Sequence, residues 1–339
     1  MTTSAGYLER TTCKGGIITR YGLPYKGSKN GIAAEIVGRL PAGEVFVDLF
    51  CGGCAITHAA ILSGKWKRYI INDIDPALPK MFVDAINGKY KNETRWIDRE
   101  TFFKEKENDP YIKYIWSFGN NGKDYLYSRE IEPYKKALHY ARVFNDFSLL
   151  HELGIETDDA SRLGMLKIKE IVREKFDIGD ENIMAVDSMP KLERLQSLES
   201  LQRLERLERL EGLKELEHNE RLRRLQSFSL SYEQVEVPPG SIVYCDIPYK
   251  GTMCGSYEGF NHERFYKWAE QRDDVFISEY EMPAPFIEVA SIQKSVLSSS
   301  QGDLGKANEK IYTTAATLER YPETPYLQVA DGLEQMTLF

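Results

Sequence analysis

The chain has 339 residues, an apolar fraction of 42% and a formal net charge of −8. No run of about 18 apolar residues offers a membrane span, the opening residues lack the apolar core of a signal peptide, and five scattered cysteines suit a reducing compartment better than a disulfide scaffold. The negative total weighs against a uniformly basic nucleic-acid binder but leaves room for a local basic surface.

Residues 1–20 read as a disordered leader. The spacing of Ile32, Ala33, Ile36, Val37 and Leu40 predicts a helix over 29–40. The nearly continuous apolar run EVFVDLF, residues 44–50, predicts a buried parallel strand. A small-residue turn and a helix over 55–62 follow, then a second buried strand at 69–71 that ends on Asn72-Asp73. Strand, turn, helix and strand within about thirty residues make a βαβ unit, which calls for a parallel sheet with right-handed crossovers.

Residues 92–190, rich in Tyr, Lys and Asn, read as a largely helical insertion. From Leu192 to Leu216 a leucine recurs at every third residue. Each step of three leaves a leucine about 60° behind the last on an α-helix, so no single seam forms and this is not a coiled-coil heptad. An irregular helix in a low-complexity insert is the expectation for 191–225, with a small solenoid or a DNA or partner clamp as alternatives. The sheet resumes with SIVYC at 241–245, followed by a helix over 261–271 capped by Asn261, a strand at 275–278 and a closing strand near 310–315. Residues 226–320 therefore complete the sheet begun in 21–91, and 321–339 form a tail.

Four pieces could carry chemistry. Asp48-Leu49-Phe50-Cys51-Gly52-Gly53-Cys54 ends a strand in an acid and enters a helix through a turn that a ligand can approach. Its CxxC pair has no further metal ligands nearby in sequence, and no metal is expected. Asp73, at the end of the second strand, stands where doubly wound folds grip a ribose, although an acid there can equally cap a helix. Asp246-Ile247-Pro248-Tyr249 offers a carboxylate and a carbonyl to hold the two N–H bonds of an exocyclic aromatic amine, and a ring to stack on its base. Pro24-Tyr25-Lys26-Gly27-Ser28-Lys29 is a basic glycine turn.

In this order the four pieces resemble the Dam-type, alpha-group family of DNA adenine methyltransferases, which carry K-x-G-x-K, D-x-F-x-G-x-G, an N-D pair, an insertion and D-P-P-Y. The resemblance covers about residues 23–90 and 226–320. It implies an α/β fold with a doubly wound, mostly parallel, Rossmann-like methyltransferase sheet and an inserted helical target-recognition domain. It implies transfer of a methyl group from S-adenosylmethionine to the exocyclic amine of adenine in a specific duplex DNA sequence, with the base flipped out. It places Tyr25, Gly27, Lys29, Asp48, Phe50, Cys51, Gly52, Gly53 and Asp73 at the cofactor. Asp246, Ile247, Pro248 and Tyr249 become the catalytic set, and Ser231, Tyr232, Trp116, Asn120 and Asn121 contact the DNA substrate. Double-stranded DNA is the implied partner, the cytoplasm of a bacterial or phage-infected cell the implied setting, and a monomer the favoured state. Three alternatives stand beside this reading: a cytosine amino-methyltransferase, a methyltransferase of RNA or of a protein glutamine, whose leading motif residue is usually Asn, and a catalytically decayed DNA-binding relative.

Three positions depart from the pattern. Cys54 replaces the last glycine of the loop, Ile247 replaces the first proline of D-P-P-Y, and Ser231-Tyr232 stands where the family often has an acid–aromatic pair that helps hold adenine.

Overall fold

A computed structural model describes residues 12–13, 16–17, 21–90, 92–129, 131–157, 225–250, 257, 259–297 and 304–322. The leucine-triplet segment lies outside the described residues, apart from Leu225. The chain divides into two compact units, one built from residues 1–23, 27–89 and 209–339, the other from 24–26 and 90–208.

In the first unit, Thr12–Cys13 (β1) pairs antiparallel with Gly16–Ile17 (β2) inside the stretch expected to be a leader. The main sheet has seven strands: Val45–Asp48 (β3), Arg68–Asn72 (β4), Leu225–Phe228 (β5), Ser241–Asp246 (β6), Val275–Glu279 (β7), Ile287–Leu297 (β8) and Leu304–Thr313 (β9). Their spatial order is β5-β4-β3-β6-β7-β9-β8. The first five run parallel, and β9 joins antiparallel to both β7 and β8. This is the mixed, mostly parallel, Rossmann-like sheet that the resemblance implies.

The central strands form where their sequences are continuously apolar. Every residue of β3 and β7 is buried, as are the first five of β6, because helices cover both faces of such a sheet. The edge strand β5 is mostly exposed and its sequence, LQSF, has no apolar run. Sequence periodicity therefore misses it.

Helix α1 is short, Ala33–Gly38, rather than the 29–40 expected. A turn precedes it, in which Ile32 N–H donates to the Lys29 carbonyl at 3.0 Å. Its C-terminal carbonyls are satisfied by Lys65, whose Nζ donates to Val37, Gly38 and Leu40 at 2.7, 3.2 and 2.8 Å. Helix α2, Ala55–Ser63, is buried on nearly all sides, and α3, Ala77–Ile86, follows β4. After the insertion, α8 spans His262–Glu270, with the Asn261 side chain accepting from Arg264 N–H as its cap. The closing strand ends at Thr313 rather than running to 315, because Thr314 turns the chain and its side chain accepts from Thr317 N–H to start α9, Ala315–Arg320.

The second unit is helical where described: α4 Arg99–Glu105, α5 Pro110–Ile115, α6 Glu132–Phe144 and α7 Ser148–Glu152. Asp98 and Asp109 cap α4 and α5 by accepting backbone N–H bonds at 2.8 and 2.9 Å. Helices α6 and α7 close on Tyr134, Ala137, Leu138, Ala141, Leu150 and Ile155. Among the described residues, no helix is long and apolar enough to cross a membrane.

One contact ties the chain entry to the loop after β3. Leu23 N–H donates to the Gly53 carbonyl at 2.6 Å, and Gly22 N–H donates to His58 Nδ1 at 3.0 Å. Gly22 has φ +70°, and a Cβ there would lie 2.4 Å from the Gly53 carbonyl oxygen and 2.5 Å from Ala55 N. Substituting Gly22→Ala combines a left-handed side chain with a backbone clash and is expected to destabilise the protein by about 2 kcal/mol or more. Chemical denaturation of the two proteins checks this; equal midpoints and slopes would count against the latch.

Candidate active site

The strand order reverses at β3. From β3 the chain passes to β4 on one side, and later returns through β6 on the other. Crevices open beyond the carboxyl ends of strands at such a point. Asp48 ends β3 and lies in register with Tyr244, two residues before Asp246 at the end of β6. The two acid-bearing strand ends are therefore neighbours.

After Asp48 the chain turns sharply. Cys51 N–H donates to the Asn72 carbonyl at 2.9 Å, and Cys54 N–H donates to the Cys51 carbonyl at 2.6 Å. Gly52 has φ +47°, and its N–H donates to Asp73 Oδ2 at 2.8 Å. Asp73 Oδ1 accepts from Asp75 N–H at 2.9 Å. Asp73 thus shapes the loop through backbone bonds. Burial raises its carboxyl to about 6, against the opposing pull of those same bonds. Cys54 takes the left-handed φ of +56° that the family's glycine would adopt freely, and it does so as the residue preceding α2. Its thiol is fully buried beside the Gly52 carbonyl, 3.8 Å away.

Asn72 binds three strand ends together. Its Nδ2 donates to the carbonyls of Leu49 and Leu230, each at 3.0 Å, and its Oδ1 accepts from Leu230 N–H at 2.9 Å. Beside it opens a cavity of about 190 Å³ lined by Phe50, Ile74, Ser231, Tyr232, Tyr257 and Phe260, among others. The Phe50 ring sits 5.6 Å from Tyr232 and 5.7 Å from Tyr257. Ser231 and Tyr232 therefore belong to the same cavity as the loop residue Phe50. Ser231 also forms a capping box with Gln234 and so carries a local structural duty. Tyr257 and Phe260 escaped sequence reasoning because no motif marks them, and Ile74 did so because the acid beside it drew the assignment.

Asp48 is buried. Its Oδ2 accepts from the Thr57 hydroxyl at 2.7 Å, while Oδ1 has no hydrogen-bond partner among the described residues. Burial, more than its neighbours Asp246 and Asp73, lifts its carboxyl to about 7, and the Thr57 bond opposes the rise.

On the other side of the strand reversal, Lys29 Nζ donates to both oxygens of Asp246, at 2.7 and 2.9 Å. The ammonium also stands 4.7 Å from the centroid of the Tyr249 ring and 3.6 Å from Glu309 Oε1. The Tyr249 hydroxyl donates to Glu309 Oε1 at 2.5 Å. Burial alone would lower the Lys29 pKa, but Asp246 and then Glu309 hold it above the ordinary lysine value. The Pro248 carbonyl lies 2.7 Å from His262 Nε2, and Ile247 is buried in the core cluster. Asp246, Ile247, Pro248, Tyr249 and Lys29 are thus brought together, as are Asp48, Phe50, Cys51, Gly52, Gly53 and Asp73.

Residues 25–158 match the family of D12 class N6 adenine-specific DNA methyltransferases. The resemblance read from the ordered motifs holds over that span, and the family is one of DNA-modifying enzymes. The chain is also similar to the retron Ec67 DNA adenine methylase of Escherichia coli, at 27% identity over 118 residues, which is 35% of this chain and 37% of that protein. The alignment spans well under half of the curated relative's length. Asp246 and its neighbours lie beyond the family match; it is the pairing of β6 with β3 that sets them beside the matched loop.

The remaining sequence-predicted positions lie in or next to the second unit. Tyr25 meets the Tyr114 ring edge-on at 5.7 Å. Gly27, at the start of the next part of the first unit, has φ +84° and open space where a Cβ would point. The expectation that Trp116 contacts DNA needs correction: it is fully buried and packs edge-on against Trp96 at 5.1 Å, so it is a core residue. Asn121 is also committed internally. Its Oδ1 accepts from the N–H groups of Lys123 and Asp124, and its Nδ2 donates to Asp124. Asn120 donates through Nδ2 to the Tyr114 carbonyl at 2.8 Å. The Asn121 amide cannot pair bidentately with a base unless these bonds break.

The raised carboxyl of Asp48 sets a pH dependence. Its folded pKa, about 7, exceeds the ordinary value of 3.8. Its neutral form therefore favours folding fully below pH 3.8, and the benefit is lost as pH rises through 7. The full swing is roughly 4 kcal/mol at most. Asp48→Asn keeps an acceptor for Thr57 and cannot ionise. Urea unfolding at pH 5 and pH 8 should show the substituted protein gaining on the wild type at the higher pH. A constant difference between the two would contradict the assignment.

Proposed function

We propose that this protein transfers a methyl group from S-adenosylmethionine to the exocyclic amine of adenine in duplex DNA. The observation that carries the reading is the convergence, at one reversal of strand order, of a small-residue loop with an acid-bearing strand end and an Asp-x-Pro-Tyr turn. The D12 family match adds that adenine in DNA is the family's target.

The residues fit the cofactor on three counts. Asp48 has a buried carboxylate oxygen with no partner among the described residues, which suits a cationic group. The cavity between Phe50, Tyr232, Tyr257 and Phe260 has the aromatic walls and nearby polar groups that suit a purine nucleoside. The turn at Gly52 and Gly53 keeps side chains away from the loop's surface. On this reading Ser231 and Tyr232 hold the cofactor's adenine rather than the DNA. Asp73 acts chiefly by fixing the loop, and Tyr257 joins the set. When bound, the cofactor supplies an electrophilic methyl group.

Asp246 and the Ile247 carbonyl accept the two N–H bonds of the flipped base's amine, localising its lone pair, and Tyr249 gives the base a ring to stack on. Lys29 donates to both oxygens of Asp246, and the carboxylate accepts from the amine and takes up its surplus proton after transfer. Asp rather than Ser or Asn at 246 favours adenine over the cytosine and glutamine alternatives. The inserted unit is assigned the reading of DNA sequence, through residues other than buried Trp116. The protein acts as a monomer in the cytoplasm.

Two measurements test this. Tritiated S-adenosylmethionine with unmethylated plasmid DNA should yield labelled N6-methyladenine by nucleoside mass spectrometry, whereas N4-methylcytosine or no product would overturn the reading. Asp246→Asn should lower turnover by about a hundredfold or more while calorimetry still detects cofactor binding. Turnover near the wild-type rate would remove Asp246 from the mechanism.

A further inference from the structure

Glu309 belongs to none of the motifs and lies well outside the family match. It sits on β9, in register with Ile292 of β8, next to Lys310, which pairs with Glu279 of β7. Its side chain is completely shielded from solvent. Burying a carboxylate in a sheet carries a desolvation penalty unless partners compensate, so a carboxylate retained there needs explaining. A Val or Ile would pack the same strand position at no electrostatic cost.

Its partners are the reacting centre's own residues. Glu309 Oε1 accepts from the Tyr249 hydroxyl at 2.5 Å and stands 3.6 Å from Lys29 Nζ. Lys29 in turn holds both oxygens of Asp246. The ammonium is thus shared by two carboxylates, one at the edge of solvent and one sealed in the sheet. The Asp246 side chain is 22% exposed, and that of Glu309 is not exposed at all. Only the exposed member can turn toward an incoming amine. If it does, Lys29 loses an anion, and a buried unpaired ammonium would oppose the change. Glu309 removes that penalty, because it remains as counter-charge.

Tyr249 is held from the same point. Its hydroxyl is anchored on Glu309, and its ring centroid lies 4.7 Å from the Lys29 ammonium and 4.5 Å from the Tyr280 ring centroid. A tyrosine that serves as a stacking platform loses precision if its ring swings, and an anchored hydroxyl removes that freedom.

We propose that Glu309 is a positioning residue for methyl transfer: it fixes the Tyr249 ring and takes over Lys29 when Asp246 engages the target amine. The inference rests on the function proposed above. It assigns Glu309 no contact with the base or the cofactor.

The test compares wild type with Glu309→Gln, using tritiated S-adenosylmethionine and unmethylated plasmid DNA, with cofactor affinity measured separately by calorimetry. The substitution keeps an acceptor for Tyr249 but removes the charge that receives Lys29. Turnover at saturating cofactor should fall at least about tenfold, with cofactor affinity within about twofold of wild type. Turnover within twofold of wild type overturns the inference, as does a loss that merely follows a drop in melting temperature and cofactor binding. Should Glu309→Gln not fold, Tyr249→Phe breaks the same hydrogen bond from the other end. It must then slow turnover while sparing cofactor affinity, and unchanged turnover overturns the proposal. A wild-type protein that labels no DNA overturns the parent reading and this one with it; a labelling wild type with an unimpaired Glu309→Gln overturns this one alone.

Discussion

Parallel pairing of β3 with β6 is the constraint from which the site follows. Val45 to Asp48 runs in register with Ser241 to Tyr244, although nearly two hundred residues of chain separate the two strands. The strand order reverses at β3, and a crevice opens beyond the carboxyl ends of strands at such a point. The glycine loop leaves from one and the Asp-x-Pro-Tyr turn from the other. A register slip of one residue would flip every side chain of β6 to the opposite face of the sheet and carry Asp246 away from Lys29.

Charge is concentrated at that edge against a strong solvation penalty. Asp48, Asp73, Lys29 and Glu309 are all buried. Their arrangement separates into two groups with different electrostatics. Around Lys29 the opposite charges compensate one another, and the lysine pKa is held up by Asp246 and Glu309. Around Asp48 and Asp73 no cation among the described residues compensates, burial dominates, and both carboxyls are pushed up, to about 7 and about 6. A site meant only for stability would be expected to resemble the first group throughout. The uncompensated second group is what a positively charged ligand would complete.

The loop between β3 and α2 also shows how the fold tolerates an unfavourable residue. Cys54 occupies a left-handed conformation at a cost on the order of 1 kcal/mol relative to glycine. The surrounding bonds over-determine it: Cys51 accepts from its N–H, Asp73 holds Gly52, and Gly53 receives Leu23. The departure from the family's glycine is thus absorbed locally, without opening the loop. The departure at Ile247 is absorbed by burial in the core, where an aliphatic side chain is at home.

Buried parallel strands, their crossover helices and the ordered acidic motifs were legible from sequence, because each depends on local pattern: apolar runs for β3, β4, β6 and β7, and an Asn cap for α8. Edge strand β5 and the antiparallel β8 were not, since an exposed or alternating strand lacks that signature. Trp116 illustrates the same limit in the site. Its place in the inserted segment implied a DNA contact, yet ring packing against Trp96 makes it core. The sequence by itself determined the fold class and the placing of Asp48, Asp73 and Asp246 at strand ends, because residue type at a strand end is a local property. Only the tertiary structure decided that Lys29 binds Asp246, that Tyr232 shares a cavity with Phe50, and that Glu309 stands behind Tyr249. Those contacts join residues far apart in the chain, and sheet register, which no short window of sequence encodes, sets their distances.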